Sequence, residues 1–172
     1  MSHGTALVHT IGMQSDSIPC FNVLELPTKQ IALVVEDDPP VQRAMVKALT
    51  GLNMRVLVAS HYRDAVRQLG AHKVDIVCIN IALPNESGYE LCEHIRGPLA
   101  LTRVPIVAIS ERGTSLDMAH AEHARANAFL LKPFAMRELA DCVRSLLDRT
   151  ASGSPPRHIL ALRYQPLDSL VA

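Results

Sequence analysis

Six polar residues stand at the ends of short apolar segments, and their types suit the chemistry of phosphate and of divalent metal ions. They are Glu36, Asp37, Asp38, Asn80, Ser110 and Lys132. Clustered carboxylates beside a further polar side chain suit Mg²⁺, which takes oxygen ligands and keeps several waters. A lysine and a hydroxyl nearby would complete a site for phosphoryl oxygens. The pattern predicts a binding pocket, provided that the fold brings these segments together.

The segments that precede these residues have the composition of buried strands. Most are nearly unbroken apolar runs, as expected for parallel strands covered on both faces. We predict five strands, at residues 30–36, 54–60, 74–80, 104–110 and 128–131. Apolar residues at helical spacing follow the runs. We predict helices after Asp38, after a cap at Ser60, around Tyr89 to Ile95, over 115–127 and from Met136 to Leu147.

Five strands that alternate with five helices through short connections predict a doubly wound parallel sheet of the α/β class. In such sheets the functional site lies beyond the carboxyl ends of the strands, near a switch in strand order. The six polar residues all lie at predicted carboxyl ends. We therefore expect them to meet at one edge of the sheet.

The same residues carry a resemblance to the receiver domain of the two-component response regulators. The acidic cluster, "NIALPNESG", a hydroxyl residue and "KPF" (132–134) occur in the family's order and at its spacings. There are 43 residues from Asp37 to position 80, then 30 to Ser110 and 22 to Lys132. The resemblance covers roughly residues 30–149. It implies a flavodoxin-like fold, with five strands in the order 2-1-3-4-5.

The resemblance also implies roles for individual residues. Glu36 and Asp37 match the acidic pair that holds Mg²⁺, with Asp37 the more direct ligand. Lys132 matches the lysine that pairs with a phosphoryl oxygen, and the peptide bond after it matches a cis bond of the family. Ser110 matches the hydroxyl residue that moves toward the phosphoryl group. Phe129 matches the aromatic residue that changes rotamer with it.

Asn80 departs from this pattern, because it stands where the family has its phosphoacceptor aspartate. In the family, the carboxylate attacks phosphorus and becomes an acyl phosphate. An amide oxygen carries no full negative charge and is a far poorer nucleophile. We therefore predict no phosphorylation by the usual route, and a Mg²⁺ site that is weakened and not required. Relief of like-charge crowding also predicts a fold more stable by about 1 kcal/mol.

Two functions fit this departure. The first is a stand-alone pseudo-receiver, a non-enzymatic signalling protein that acts by protein–protein interaction. The second is a conventional Mg²⁺-dependent phosphoacceptor whose aspartate at position 80 was replaced by engineering. By the resemblance, the face made by helix four, strand five and helix five, at residues 115–147, would meet a partner. That partner would be a histidine kinase, another signalling protein, or a second copy of the chain in a homodimer.

The composition argues against two other kinds of partner. The 17 basic and 17 acidic residues cancel, and three Tyr, three Phe and no Trp leave little for base stacking. We therefore expect no nucleic-acid partner and no membrane partner. The four cysteines lack metal-finger spacing, no apolar run reaches transmembrane length, and the N-terminus does not resemble a signal peptide. These features predict a cytoplasmic protein.

Composition divides the chain into three parts. Residues 1–28 form an N-terminal extension without Lys or Arg, residues 29–149 form the receiver-like domain, and residues 150–172 form a linker and tail that begin with "TASGSPP". Strand-like segments occur in both flanks, including "FNVLEL" (21–26) and "HILALRY" (158–164). Such segments could pair with one another, cover an edge of the sheet or exchange between copies of the chain.

Overall fold

A computed structural model describes residues 29–84, 86–99, 101–153 and 160–162. Strands and helices alternate along this part of the chain, as the sequence predicts. The strands are β1 (Ile31–Val35), β2 (Arg55–Ala59), β3 (Ile76–Asn80), β4 (Ile106–Ser110), β5 (Ala128–Leu131) and β6 (Leu160–Leu162). The helices are α1 (Pro39–Thr50), α2 (Tyr62–Ala71), α3 (Gly88–Arg96), α4 (Ser115–His123) and α5 (Met136–Ala151). The segment at 21–26 lies outside the described residues.

The strands form one parallel sheet in the order β2-β1-β3-β4-β5-β6. The predicted α/β class, the five-stranded parallel sheet with five helices and the order 2-1-3-4-5 are therefore confirmed. Strand order reverses direction between β1 and β3, so the ends of these two neighbouring strands form the crevice that such sheets use for binding. β6 adds a sixth strand beside β5, and it lies within the segment 158–164 that has a strand-like composition.

Two apolar cores cover the two faces of the sheet. One face packs against α2, α3 and α4, through residues that include Leu69, Leu91, Ile95 and Ala121. The other face packs against α1 and α5, through residues that include Met45, Leu49, Leu139 and Val143. Because both faces are covered, the central strands carry apolar side chains at nearly every position, and β3 and β4 are buried throughout.

Three helix boundaries differ from those predicted, and one of them is the end of α5, which lies at Ala151 rather than Leu147. His61, not Ser60, precedes the first residue of α2, and the Ser60 hydroxyl instead accepts a hydrogen bond from Gln42 Nε2 at 3.4 Å. Helix α4 ends at His123 rather than continuing to residue 127, because Arg125 adopts a left-handed conformation with φ 55°. In the described ranges, no helix is long and apolar enough to cross a membrane.

Candidate functional site

The carboxyl ends of β1, β3 and β5 bring four of the predicted site residues into one hydrogen-bonded group. Asn80 Nδ2 donates to Glu36 Oε1 at 3.0 Å and to Asp37 Oδ1 at 2.9 Å. Lys132 Nζ donates to Glu36 Oε2 at 2.9 Å. The sequence expectation that Glu36, Asp37, Asn80 and Lys132 meet at one edge of the sheet matches this geometry. We refer to these four residues as the acidic pocket.

The acidic pocket is largely shielded from water. Glu36 is 1% exposed, Asn80 is 4% exposed, and the side chain of Lys132 is 15% exposed. A carboxylate that is removed from water must be compensated by a counter-charge and by hydrogen-bond donors. Lys132 supplies the counter-charge to Glu36 and Asn80 supplies a further donor, so this buried carboxylate is compensated from within the pocket. Among the described residues, no buried side-chain nitrogen or oxygen lacks a hydrogen-bond partner.

The start of α3 is pressed against the end of β3, directly behind Asn80. Gly88 N donates to Ile81 O at 3.1 Å, and Ser87 accepts from Tyr89 N as the cap of the helix. A Cβ at position 88 would lie 2.5 Å from both the carbonyl oxygen of Asn80 and Cα of Ile81. Only glycine fits there. The glycine of "NESG" therefore fixes how closely the helix approaches the backbone that carries Asn80.

The loop after β5 positions Lys132. Its backbone N donates to Ser110 O at 2.7 Å, which continues the pairing of β4 with β5. The bond between Lys132 and Pro133 is cis, as the resemblance implied. The lysine thus leaves the sheet at a fixed point, and its side chain reaches past the ends of β4 and β3 to Glu36 at the end of β1.

Ser110 and Phe129 lie near the acidic pocket in the sheet, but their side chains are engaged elsewhere. The Ser110 hydroxyl is buried and accepts from Arg112 N at 3.0 Å, within its own loop. Phe129 is buried in the core on the side of α2, α3 and α4. The rearrangement implied for these two residues stays a prediction. Asp38 is exposed at the start of α1, and its backbone N lies 3.4 Å from Glu36 Oε1.

Two residues around the pocket were not predicted from the sequence. Gln42 Nε2 donates to Glu36 O at 2.9 Å and so ties α1 to the end of β1. Tyr89 donates its hydroxyl proton to Asp117 O at 2.9 Å and joins α3 to α4. Burial and the nearby Asp117 raise the pKa of Tyr89, so it remains a donor at neutral pH. A polar residue on the inward face of a helix can be recognised in a sequence. The partners of Gln42 and Tyr89 cannot, because they are backbone carbonyls.

The described thiols take no part in the pocket. Cys78, Cys92 and Cys142 are buried and unpaired. Burial raises the pKa of Cys92 to about 12 and that of Cys142 to about 11, and it raises the pKa of Cys78 further. A thiol acts as a nucleophile or a metal ligand in its ionised form. These three side chains therefore serve as packing groups at neutral pH.

Comparison with known proteins agrees with the fold. Residues 32–144 match the response regulator receiver domain. The chain is 31% identical over 124 residues to the transcriptional regulatory protein KdpE of Mycobacterium tuberculosis, covering 72% of this chain and 54% of that protein. It is 26% identical over 117 residues to the phosphate regulon transcriptional regulatory protein PhoB of Escherichia coli, covering 68% of this chain and 51% of that protein.

A solved structure shares the fold. It is a CheY-like response regulator receiver domain protein of Methanospirillum hungatei, with a TM-score of 0.67, 19% identity, and coverage of 74% of this chain and all of that one. Since the receiver match spans most of the described chain, this chain belongs to the response regulator receiver domain family. Receiver domains are signalling domains of two-component systems and not a classical enzyme family.

The expectation that nucleic acid plays no part is wrong. KdpE and PhoB are named as transcriptional regulators, and the chain spans about half the length of these relatives. The expectation rested on the cancelling charges of this chain. The charge balance describes this chain alone, because electrostatic binding of DNA is a property of the surface that contacts it. Neutrality here is therefore no argument against a role in transcription.

Receiver domains typically bind Mg²⁺ at their phosphorylation site. The donor set of this pocket does not fit that ion, since Mg²⁺ requires oxygen ligands in octahedral geometry. The amide nitrogen of Asn80 faces both carboxylates, and both oxygens of Glu36 are already hydrogen bonded. Within the described ranges, no group of three or more His, Cys, Asp and Glu side chains is arranged to hold a metal ion.

Proposed function

We propose that this chain is a pseudo-receiver, a receiver domain that passes on a signal by binding a protein partner and accepts no phosphoryl group at position 80. The observation that carries the proposal is the orientation of Asn80. Its nitrogen faces Glu36 and Asp37, and its oxygen accepts a hydrogen bond from Ala82 N at 3.2 Å. The pocket therefore presents a nitrogen where phosphoryl transfer requires a charged oxygen.

The chemistry supports this proposal. Transfer needs a nucleophile that can attack phosphorus and form an acyl phosphate. The lone pair of an amide nitrogen is delocalised into its carbonyl group, and its two N–H groups already donate to carboxylates. Neither atom of the carboxamide is free to attack. The two states of such a domain are then biased by whichever partner binds one of them more tightly.

The remaining site residues keep roles within this proposal. Glu36 and Asp37 form the acidic pair, with an affinity for Mg²⁺ that is weakened because Asn80 adds no third carboxylate. Lys132 is the cation of the pocket, and its Nζ lies 2.9 Å from Glu36 Oε2. Ser110 and Phe129 are the residues that would rearrange between two states. The proposed domain covers residues 29–149, between an N-terminal extension (1–28) and a linker and tail (150–172). Helix α5 continues two residues past this proposed boundary, to Ala151, and the tail contributes β6 to the sheet.

The relatives support a setting for the activity. KdpE and PhoB are named as transcriptional regulators, and this chain matches about half of each. We propose that the receiver described here works in the control of transcription, by contact with another protein.

Phosphodonor labelling tests the proposal. The native chain, the Asn80→Asp variant and the Asn80→Ala variant are incubated with Mg²⁺ and a small phosphodonor such as acetyl phosphate. Intact mass then reports an acid-stable, base-labile phosphoryl group. We expect the native chain and Asn80→Ala to remain unmodified, because neither has a carboxylate at position 80. A phosphoryl group on the native chain at this pocket would refute the proposal.

The same assay tests a second candidate function, a conventional phosphoacceptor whose aspartate was replaced by engineering. The observation in its favour is that Asp37 and Lys132 still flank position 80 through the contacts of the acidic pocket. Under this alternative, Asn80→Asp restores Mg²⁺-dependent labelling and slow loss of the label. If Asn80→Asp also remains unlabelled, the pocket has diverged beyond its acceptor and the pseudo-receiver is the better account.

A further inference from the structure

In the acidic pocket, the amide of Asn80 bridges the two carboxylates. Replacing the phosphoacceptor aspartate would remove the nucleophile even without this bridge. One amide group of Asn80 contacts both members of the acidic pair, at 3.0 Å to Glu36 and 2.9 Å to Asp37. These two carboxylates are the groups that would otherwise share a divalent cation. The amide nitrogen therefore lies between one oxygen of each carboxylate, Glu36 Oε1 and Asp37 Oδ1.

The direction of the amide is fixed by its other atom. Asn80 Oδ1 accepts from Ala82 N at 3.2 Å. If the amide were reversed, its oxygen would face two carboxylates and its NH₂ group would face a backbone N–H. Both contacts would then be repulsive, so the hydrogen-bond network selects one orientation. In that orientation Asn80 has no oxygen available to a metal ion on the side of the acidic pair.

The second oxygen of Glu36 is also occupied. Lys132 Nζ donates to it at 2.9 Å, and the carboxylate is 1% exposed. A buried carboxylate with a counter-ion on one oxygen and an amide donor on the other needs no further cation. Asp37 is only partly buried, and its Oδ1 is bonded to Asn80.

We propose that the Asn80 carboxamide and the Lys132 ammonium hold the acidic pair together without a divalent cation. The ammonium neutralises the buried Glu36 and the amide bonds to both carboxylates, which leaves the four residues with one net negative charge. The pocket then keeps its arrangement whether or not Mg²⁺ is present. The ends of β1, β3 and β5 are held together by the chain's own side chains. This inference does not depend on the signalling role proposed above, because it concerns metal affinity and not phosphoryl transfer or partner binding.

Metal binding measured by calorimetry tests the inference. MgCl₂ is titrated into the native chain, Asn80→Asp and the control Asp38→Asn, and Mn²⁺ binding is followed in parallel by electron paramagnetic resonance. Asp38→Asn removes one exposed charge beside the pocket without touching the amide contacts. We expect Asn80→Asp to bind at least about tenfold more tightly than the native chain, since an added carboxylate supplies the missing oxygen ligand. Asp38→Asn should not bind more tightly than the native chain.

Asn80→Ala keeps the test decisive if Asn80→Asp does not fold, which circular dichroism would show. This variant adds no charge but removes the amide donor from one oxygen of Glu36 and one of Asp37, so its affinity for Mn²⁺ should exceed that of the native chain. The unfolding temperature of the native chain should be unchanged by Mg²⁺. Any of three results would overturn the inference. The native chain could bind Mg²⁺ within tenfold of the affinity of Asn80→Asp, its unfolding temperature could rise with Mg²⁺, or Asn80→Ala could bind Mn²⁺ no more tightly than the native chain.

Discussion

Lys132 Nζ lies 2.9 Å from Glu36 Oε2, and this contact joins residues that are 96 positions apart. It links the loop after β5 to the end of β1, across the intervening β4 and β3. Glu36 is 1% exposed, whereas the lysine side chain is 15% exposed. The buried partner therefore depends on the more accessible one for its counter-charge.

Removing the lysine charge should destabilise the fold strongly. Lys132→Met leaves Glu36 buried with only amide donors for compensation. Breaking one side of a buried ion pair costs about 3 to 5 kcal/mol in the free energy of unfolding. Urea unfolding at neutral pH measures the difference.

Lys73→Met is the matched control, because Lys73 is exposed and precedes β3. The control should change stability by less than about 0.5 kcal/mol. Equal effects of the two substitutions would show that the buried pair is unimportant.

Gly88 and Gly70 should respond in opposite ways to the same substitution. A Cβ at position 88 would lie 2.5 Å from the backbone behind Asn80, so Gly88→Ala must displace α3 and should destabilise the fold by about 2 kcal/mol or more. A Cβ at position 70 would have nothing within 4 Å. Since alanine favours a helix, Gly70→Ala should stabilise α2 by up to about 1 kcal/mol. Thermal unfolding of both variants provides the comparison. A stable Gly88→Ala variant would contradict the close packing.

Arg96 should contribute strongly to stability at the edge of the sheet opposite the acidic pocket, where β4 and β5 begin. Its guanidinium donates to Leu101 O and Val104 O at 2.8 Å, to Asn127 Oδ1 at 2.9 Å and to Arg125 O at 3.1 Å. Burial lowers its pKa, but not enough to remove its charge at neutral pH. Arg96→Met leaves these acceptors without their donor and should cost about 3 kcal/mol in the free energy of unfolding.

The controls for this prediction separate charge from geometry. Arg96→Lys keeps the charge but cannot reach several carbonyls in one plane, so it should recover only part of the loss. Arg144→Met removes an exposed arginine whose partner is Asp141, and it should change stability by less than about 0.5 kcal/mol. Urea midpoints of the three variants rank them. Full recovery by lysine would show that the charge, and not the four directed contacts, is what matters.

Stability should fall as the pH rises above 9. The pKa of Cys92 is raised to about 12 and that of Cys142 to about 11 by burial, from an ordinary value of 9.0. Between pH 9 and 10 these thiols are increasingly ionised in the unfolded chain but remain protonated in the folded chain. The unfolded state then binds fewer protons, so the free energy of unfolding decreases with pH. The slope approaches about 1.4 kcal/mol per thiol per pH unit at the upper end of this range.

Urea unfolding at a series of pH values measures this slope, in a background of Cys20→Ser. Cys142→Ala is less stable throughout because it leaves a small cavity, but its slope should be shallower by the contribution of one thiol. Identical slopes for the two proteins would show that Cys142 is not protected from ionisation.

The pocket could be predicted because its geometry follows from the order of the strands. Glu36, Asn80 and Lys132 each come directly after an apolar run, and parallel strands align their carboxyl ends. The cis bond before Pro133 and the order of the five strands were implied by the receiver resemblance and are present.

Other contacts could not be predicted, for two physical reasons. Gln42, Tyr89 and Arg96 donate to backbone carbonyls, which every residue has, so residue type at the acceptor carries no signal. The direction of the Asn80 amide is set by Ala82 N, a backbone group in a loop. The end of α4 depends on the left-handed conformation of Arg125, for which arginine has no preference. The sixth strand falls in a segment whose strand-like composition left several pairings open.

The most direct test of the account is the stability of Asn80→Asp relative to the native chain in metal-free buffer. Charge crowding alone predicts a loss of about 1 kcal/mol, but the variant also loses two hydrogen bonds to carboxylates, so we expect about 2 to 4 kcal/mol. Urea unfolding with a chelator present measures the difference, and added Mg²⁺ should restore Asn80→Asp while leaving the native chain unchanged. An Asn80→Asp variant as stable as the native chain without metal would contradict the claim that Asn80 holds the acidic pair together.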